Sequence, residues 1–187
     1  AGGATMIQYR AKNKTGGQMV ATALSLLQIT RRYRIPLLIN DRIDVALAVD
    51  ADGVHLGQED IPCALARKLM GPDKIIGISA STPEMARRAE KDGADYLGVG
   101  AVYPTGTKAD AGAAIGLEGL RAVRKAVTIP LVAIGGINID NAAAIAATGV
   151  AGLAVVSAVV AASDPKQAAA ALKQAFVQGQ SQFKTQR

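Results

Sequence analysis

The chain is poor in the residues that build stapled or metal-bound scaffolds: one cysteine, one histidine and no tryptophan in 187 residues, with two Phe and four Tyr as its only aromatics. A lone Cys63 excludes an intramolecular disulfide, and no second thiol or histidine cluster accompanies it to suggest zinc. It reads as a buried small hydrophobe in a reducing, cytoplasmic setting. Long apolar runs are missing too. The most apolar stretch, residues 149–162, is interrupted by Ser157 and falls short of the roughly 20 residues a membrane-spanning helix needs. Residues 19–29 lack the flanks of a signal peptide and read as a core helix. With few aromatics, packing falls to Ala, Val, Ile and Leu, within a composition that is 50% hydrophobic.

Acidic residues are absent from the first 40 positions, where Arg10, Lys12, Lys14, Arg31, Arg32 and Arg34 lie, and the whole chain carries a net charge of +6. That excess favours anionic small molecules. Nucleic acid is not expected, because no basic stripe with interleaved stacking aromatics is present.

Short β-branched runs alternate with Ala- or Leu-rich segments, the pattern of parallel strands joined by crossover helices. Strands are expected at residues 5–9, 36–39, 53–56, 75–79, 96–99, 131–134 and 152–156. Helices are expected at 17–33, 43–49, 61–70, 83–91, 117–126, 140–147 and 165–176. Thr82 before Pro83 and Asp164 before Pro165 are N-cap signals, and Gly71, Gly93 and Gly149 are helix stops. Polar residues at nearly every strand's C-terminal end favour an α/β (β/α)8 TIM barrel over an open doubly wound sheet, with residues 1–178 as one domain and 179–187 as a polar, disordered tail. Seven β/α units are visible where such a barrel has eight. The expectation is therefore a barrel lacking its first unit, either through loss of an N-terminal segment or as a barrel open at one edge, which would invite homo-oligomers.

The strand ends carry the chemistry. Gln8 and Arg10 alternate onto one face of the first strand, and Lys12 lies just past it; a guanidinium fork and a compact ammonium suit a polyphosphate. Asp41 and Asp60 follow neighbouring strands and suit Mg²⁺, which takes one or two carboxylates plus phosphate oxygens. Asp41 is equally placed to N-cap the helix at 43. His55, inside a strand, reads as a satisfied inward-facing imidazole or a substrate contact. Thr105, Thr107 and Lys108 sit on a long glycine-bearing loop suited to phosphate. Gly135-Gly136 and Val156-Ser157 end successive strands as a phosphate cup would.

Taken in order, Gln8 to Lys12, Ile39-Asn40-Asp41, the segment 52–60, Gly77-Ile78-Ser79, the segment 93–108, Ile134 to Ile137 and Val156-Ser157 resemble the thiamine phosphate synthase family over residues 2–176. The resemblance implies a transferase of thiamine biosynthesis that condenses hydroxymethylpyrimidine diphosphate with thiazole phosphate and releases pyrophosphate. It implies Mg²⁺ on Asp41 and Asp60, and Arg10, Lys12, Asn40, Ser79 and Lys108 around the diphosphate. Gln8 would face the pyrimidine, while Thr105, Thr107, Gly136, Val156 and Ser157 would receive the thiazole phosphate. Ala11 stands where the family often has an acid. The alternatives are a related thiazole tautomerase, which uses a histidine where this chain has Ser79, and a non-catalytic phosphate-binding barrel.

Overall fold

The computed structural model of the chain describes residues 2–106 and 112–185, the side chains of 184 and 185 excepted. The elements run β1 (Ile7–Tyr9), α1 (Gly16–Arg32), β2 (Leu37–Asn40), α2 (Ile43–Ala48), β3 (Gly53–Leu56), α3 (Cys63–Met70), β4 (Ile75–Ala80), α4 (Pro83–Lys91), β5 (Tyr96–Val99), α5 (Gly116–Ala126), β6 (Leu131–Ile134), α6 (Ile139–Ala146), β7 (Gly152–Ala154), α7 (Ser157–Val160) and α8 (Pro165–Thr185). The expected α/β alternation is present, and two compact units divide it. One comprises Ala4–Ser79 with Lys91–Asp95; the other comprises Ala1–Gly3, Ala80–Glu90 and Tyr96–Arg187.

In the first unit, β1 to β4 pair in parallel in chain order. Tyr9 is level with Ile39, Asn40 with His55, and His55 with Gly77. Parallel strands covered on both faces read as continuous apolar runs, and β2 is buried along its whole length. Helix α1 covers this unit with Met19, Ala23, Leu27 and Thr30, an i, i+4 stripe of small and aliphatic side chains. The helix starts one residue earlier than expected because Thr15 and Gln18 form a capping box: the Thr15 hydroxyl accepts from the Gln18 N–H at 3.3 Å, and the Gln18 amide accepts from the Thr15 N–H at 3.1 Å. Cys63 is 6% exposed, and burial is the main cause that pushes its thiol pKa up. It is a packing residue, as expected.

In the second unit, β5, β6 and β7 are likewise parallel and in order, with Val99 level with Ala133 and Ile134 level with Ala154. The expected caps form: Thr82 Oγ1 accepts from the Met85 N–H at 3.3 Å, and Asp164 Oδ1 from the Gln167 N–H at 2.9 Å. Strands β1 and β7 are shorter than expected. Each is the outer strand of its unit and is bonded on one side only there, to β2 and β6 respectively.

The polar tail expected from residue 179 is corrected. Helix α8 continues to Thr185. Gly179 lies against the Ala143 carbonyl of α6, Phe183 lies over Gly149, and the Gln180 amide donates to the Val150 carbonyl at 3.4 Å. Polar composition hid three packing positions spaced along one helix face. Gly→Ala inside a helix ordinarily gains about 1 kcal/mol. At Gly179 the added Cβ would fall on the Ala143 carbonyl oxygen, so Gly179→Ala is expected to lose about 1–2 kcal/mol net, read as a lower urea midpoint at unchanged slope.

Candidate functional site

In the first unit, the strand register places Tyr9, the residue before Arg10, beside Ile39, the residue before Asn40, and places Asn40 beside His55. Asn40 ends β2 at 9% exposure. The next residue, Asp41, turns the chain with φ +65°, a left-handed conformation that Asp tolerates better than most side chains. Its N–H still donates to the His55 carbonyl at 2.9 Å, so the ladder continues one step while the side chain is redirected. The Asp41 carboxylate accepts from Lys12 Nζ at 2.5 Å. It does not cap α2, whose N-cap residue is Arg42 with no side-chain cap bond. The capping alternative is thereby removed, and the carboxylate belongs to the cluster at the strand ends.

Asp60 completes this cluster. Its Oδ2 accepts the Gly57 N–H at 2.6 Å, which folds the β3–α3 loop back on itself. The Asp41 and Asp60 carboxyl groups are near enough to perturb each other's ionisation. Burial works against charge on both. On Asp41 it is outweighed by the Lys12 hydrogen bond, the interaction with Asp60 and the nearby Lys12 and Arg10 charges, so its pKa lies below the usual value. On Asp60, burial and the neighbouring Asp41 charge prevail over the Gly57 hydrogen bond and raise the pKa. Two carboxyls this close cannot both ionise cheaply unless a cation joins them.

That donor set fits Mg²⁺: hard oxygens from two carboxyls, with the remaining positions left to water and phosphate oxygens. Among the described residues no group of three His, Cys, Asp or Glu side chains forms a fuller metal cage. Arg10 and Lys12 are exposed beside the pair, and Gln8 is exposed on β1.

Ser79 lies near the end of β4. Its hydroxyl is 3.0 Å from His55 Nε2, and its carbonyl accepts from Gln58 Nε2 at 2.6 Å. The imidazole is half-buried and engaged with a neighbouring strand, in keeping with the inward-facing reading of His55. Gln58 is the residue that sequence reasoning left without a role. A glutamine in a polar loop carries no signal until the β3–β4 register brings it to Ser79.

The second unit gathers a separate group of residues. Val102 N–H donates to the Ile134 carbonyl at 2.9 Å and Tyr103 N–H to the Gly135 carbonyl at 3.1 Å, so the chain leaving β5 runs along the end of β6. The loop returns to its own base: Ile115 N–H donates to Ala101 O at 2.9 Å and Gly116 N–H to Val102 O at 3.0 Å. Thr105 sits on this excursion. Thr107 and Lys108 lie outside the described residues.

Gly136, at φ +64°, turns under the loop, and a Cβ there would stand 2.6 Å from Tyr103 Cβ. The Asn141 amide donates to the Gly136 carbonyl at 2.9 Å. Because Ile134 is level with Ala154, Gly135-Gly136 and Val155-Val156 leave their strands together. Val156 and Ser157 are exposed where the short α7 begins, and first-turn N–H groups have no partner within a helix. The Gly135-Gly136 turn and the start of α7 thus follow adjacent strand ends. No helix among the described residues is long and apolar enough to cross a membrane.

A family model described as thiamine monophosphate synthase matches residues 1–159. The thiamine-phosphate synthase of Moorella thermoacetica is 55% identical over 174 residues, covering 93% of this chain and 83% of that protein. That of Chloroflexus aurantiacus is 58% identical, covering 92% and 79%. The solved structure of a thiamine phosphate pyrophosphorylase from Pyrococcus furiosus superposes with a TM-score of 0.88 at 50% identity, covering 95% of this chain and 85% of that one.

Proposed function

Because the chain belongs to the thiamine monophosphate synthase family, we infer that it is an enzyme, a transferase that joins hydroxymethylpyrimidine diphosphate to thiazole phosphate, forming thiamine phosphate and pyrophosphate. The observation that carries the chemical assignment is the cluster of Lys12, Asp41 and Asp60 with the Arg10 charge close by. It combines cations for a diphosphate with a carboxyl pair for Mg²⁺.

In the proposed reaction, the carbon–oxygen bond between the pyrimidine methylene and the diphosphate breaks, and its electron pair leaves with pyrophosphate. The thiazole nitrogen then supplies the electron pair of the new carbon–nitrogen bond. No side-chain nucleophile is required; the chain's part is to stabilise leaving-group charge and align two substrates. Asp41 and Asp60 would hold the metal. The chemistry a bound Mg²⁺ supplies is neutralisation of charge on the departing diphosphate. Arg10, Lys12, Asn40, Ser79 and Lys108 would hold the diphosphate oxygens, with Gln8 toward the pyrimidine. Thr105, Thr107, Gly136, Val156 and Ser157 would receive the thiazole phosphate through hydroxyls and backbone N–H groups.

The same reading extends to architecture and setting: a (β/α)8 barrel to which this chain contributes seven units, a cytoplasmic location, and self-association through a sheet edge. Ser79, at the position where the tautomerases use a histidine, favours the synthase over that isomerase.

The test is a coupled pyrophosphate-release assay. Release is expected only with both substrates and Mg²⁺ present, and it stops with excess chelator. Equal rates in chelator would reject the metal assignment, and turnover of the thiazole tautomer alone would favour the isomerase.

A further inference from the structure

His55 faces Gly77 across the β3–β4 ladder, and Gly77 offers no side chain, so the imidazole has room to lean along the sheet toward Ser79 two residues further on. Its Nε2 stands 3.0 Å from Ser79 Oγ, while Gln58, three residues later, grips the carbonyl of the same serine at 2.6 Å. The end of β3 and the loop that follows it thus hold Ser79 by its hydroxyl and by its backbone. Resting on the reading of Ser79 as a diphosphate contact, we propose that His55 and Gln58 are positioning residues that aim the Ser79 hydroxyl at the diphosphate, rather than substrate contacts themselves.

The argument turns on proton direction. A serine hydroxyl has one proton, and an anion can only accept. If His55 Nε2 accepted that proton, Ser79 would turn lone pairs toward the diphosphate and repel it. The useful arrangement has His55 carrying a proton on Nε2 and donating that hydrogen bond to Ser79 Oγ, which frees the serine proton for a phosphate oxygen. Gln58 contributes differently: by donating to the Ser79 carbonyl, it fixes the backbone from which the hydroxyl projects. Both effects pass through one atom, Ser79 Oγ, and that makes them separable from direct binding.

The experiment is a double-mutant cycle on the full chain, read both as kcat/KM for pyrophosphate release and as the affinity for inorganic pyrophosphate with Mg²⁺ by calorimetry. Ser79→Ala and His55→Ala are each expected to lower both quantities about tenfold, the scale of one hydrogen bond to a charged group. Gln58→Leu is expected to lower them about threefold, the scale of a neutral hydrogen bond. In the Ser79→Ala background, neither His55→Ala nor Gln58→Leu should cost anything further. His55→Gln, which restores an N–H donor at the position of Nε2, should recover most of the loss and, being close in shape, remain folded where His55→Ala does not.

Independent, multiplicative losses would overturn the proposal, because they would mean that His55 or Gln58 acts on substrate directly or on the fold at large. Failure of His55→Gln to rescue would also overturn it. If the wild-type chain bound pyrophosphate yet formed no product, the functional reading would fall while the affinity cycle still decided the roles of His55 and Gln58.

Discussion

Asp41→Asn is expected to lower kcat/KM for pyrophosphate release by about 10³-fold, roughly 4 kcal/mol of lost transition-state stabilisation. The substitution isolates charge from shape. Asn tolerates the left-handed backbone that Asp41 adopts at φ +65°, and it keeps a side-chain oxygen facing Lys12. What it removes is the anion that Lys12, Arg10 and a dication would share. The Asp60 carboxyl, no longer beside a carboxylate, loses part of what raises its pKa. The thermal midpoint is expected to move little, since the Lys12–Asp41 pair is half in solvent and such pairs contribute about 0–1 kcal/mol. The measurement is rate against Mg²⁺ concentration. A variant with full activity and an unchanged Mg²⁺ requirement would remove Asp41 from the metal site.

Gly53→Ala is expected to damage the fold itself. The strand β3 begins at Gly53, level with Leu38 on one side and Ile75 on the other, and a Cβ there would fall on the Ile75 carbonyl oxygen and crowd the Ile75 Cβ at 2.8 Å. The clash is with strand backbone, which cannot swing aside as a surface side chain would. A loss of about 3 kcal/mol is expected, lowering the melting temperature by roughly 10 °C for a chain of this size. Because β3 carries His55 and leads to Asp60, activity should fall with stability. A variant that melts with the wild type would show that β3 and β4 sit further apart than described.

Both substitutions act at positions whose importance was unequally legible. Asp41 announces itself by following a buried apolar run, where a carboxylate has no packing purpose. Even so, the residue string was also consistent with an N-cap, and only the observed Lys12 partner and the uncapped start of α2 decided between them. Gly53 sits in a run read as a strand with correct ends, yet nothing local says that its missing Cβ is occupied by a neighbouring carbonyl.

The glycine pair Gly135-Gly136 lies between these cases. Adjacent glycines signal a turn, but the Tyr103 chain packed against Gly136 comes from the preceding strand's loop. The tail was misread for a related reason. Gly179, Gln180 and Phe183 are unremarkable among polar neighbours, and their partners, Ala143, Val150 and Gly149, are some thirty residues away.

Local chemistry determined the alternation of strand and helix, the ends marked by Thr82, Asp164 and the stop glycines, the aliphatic core and the polar, charged residues at the strand termini. Each depends on a residue's own conformational preference or on periodicity along the chain, and the amino-acid order displays both. Tertiary structure decided which carboxylate serves which partner, that His55 and Gln58 converge on Ser79, and where only hydrogen fits. Those outcomes depend on register between strands distant in the chain. A shift of one residue there changes every neighbour without altering a single local preference.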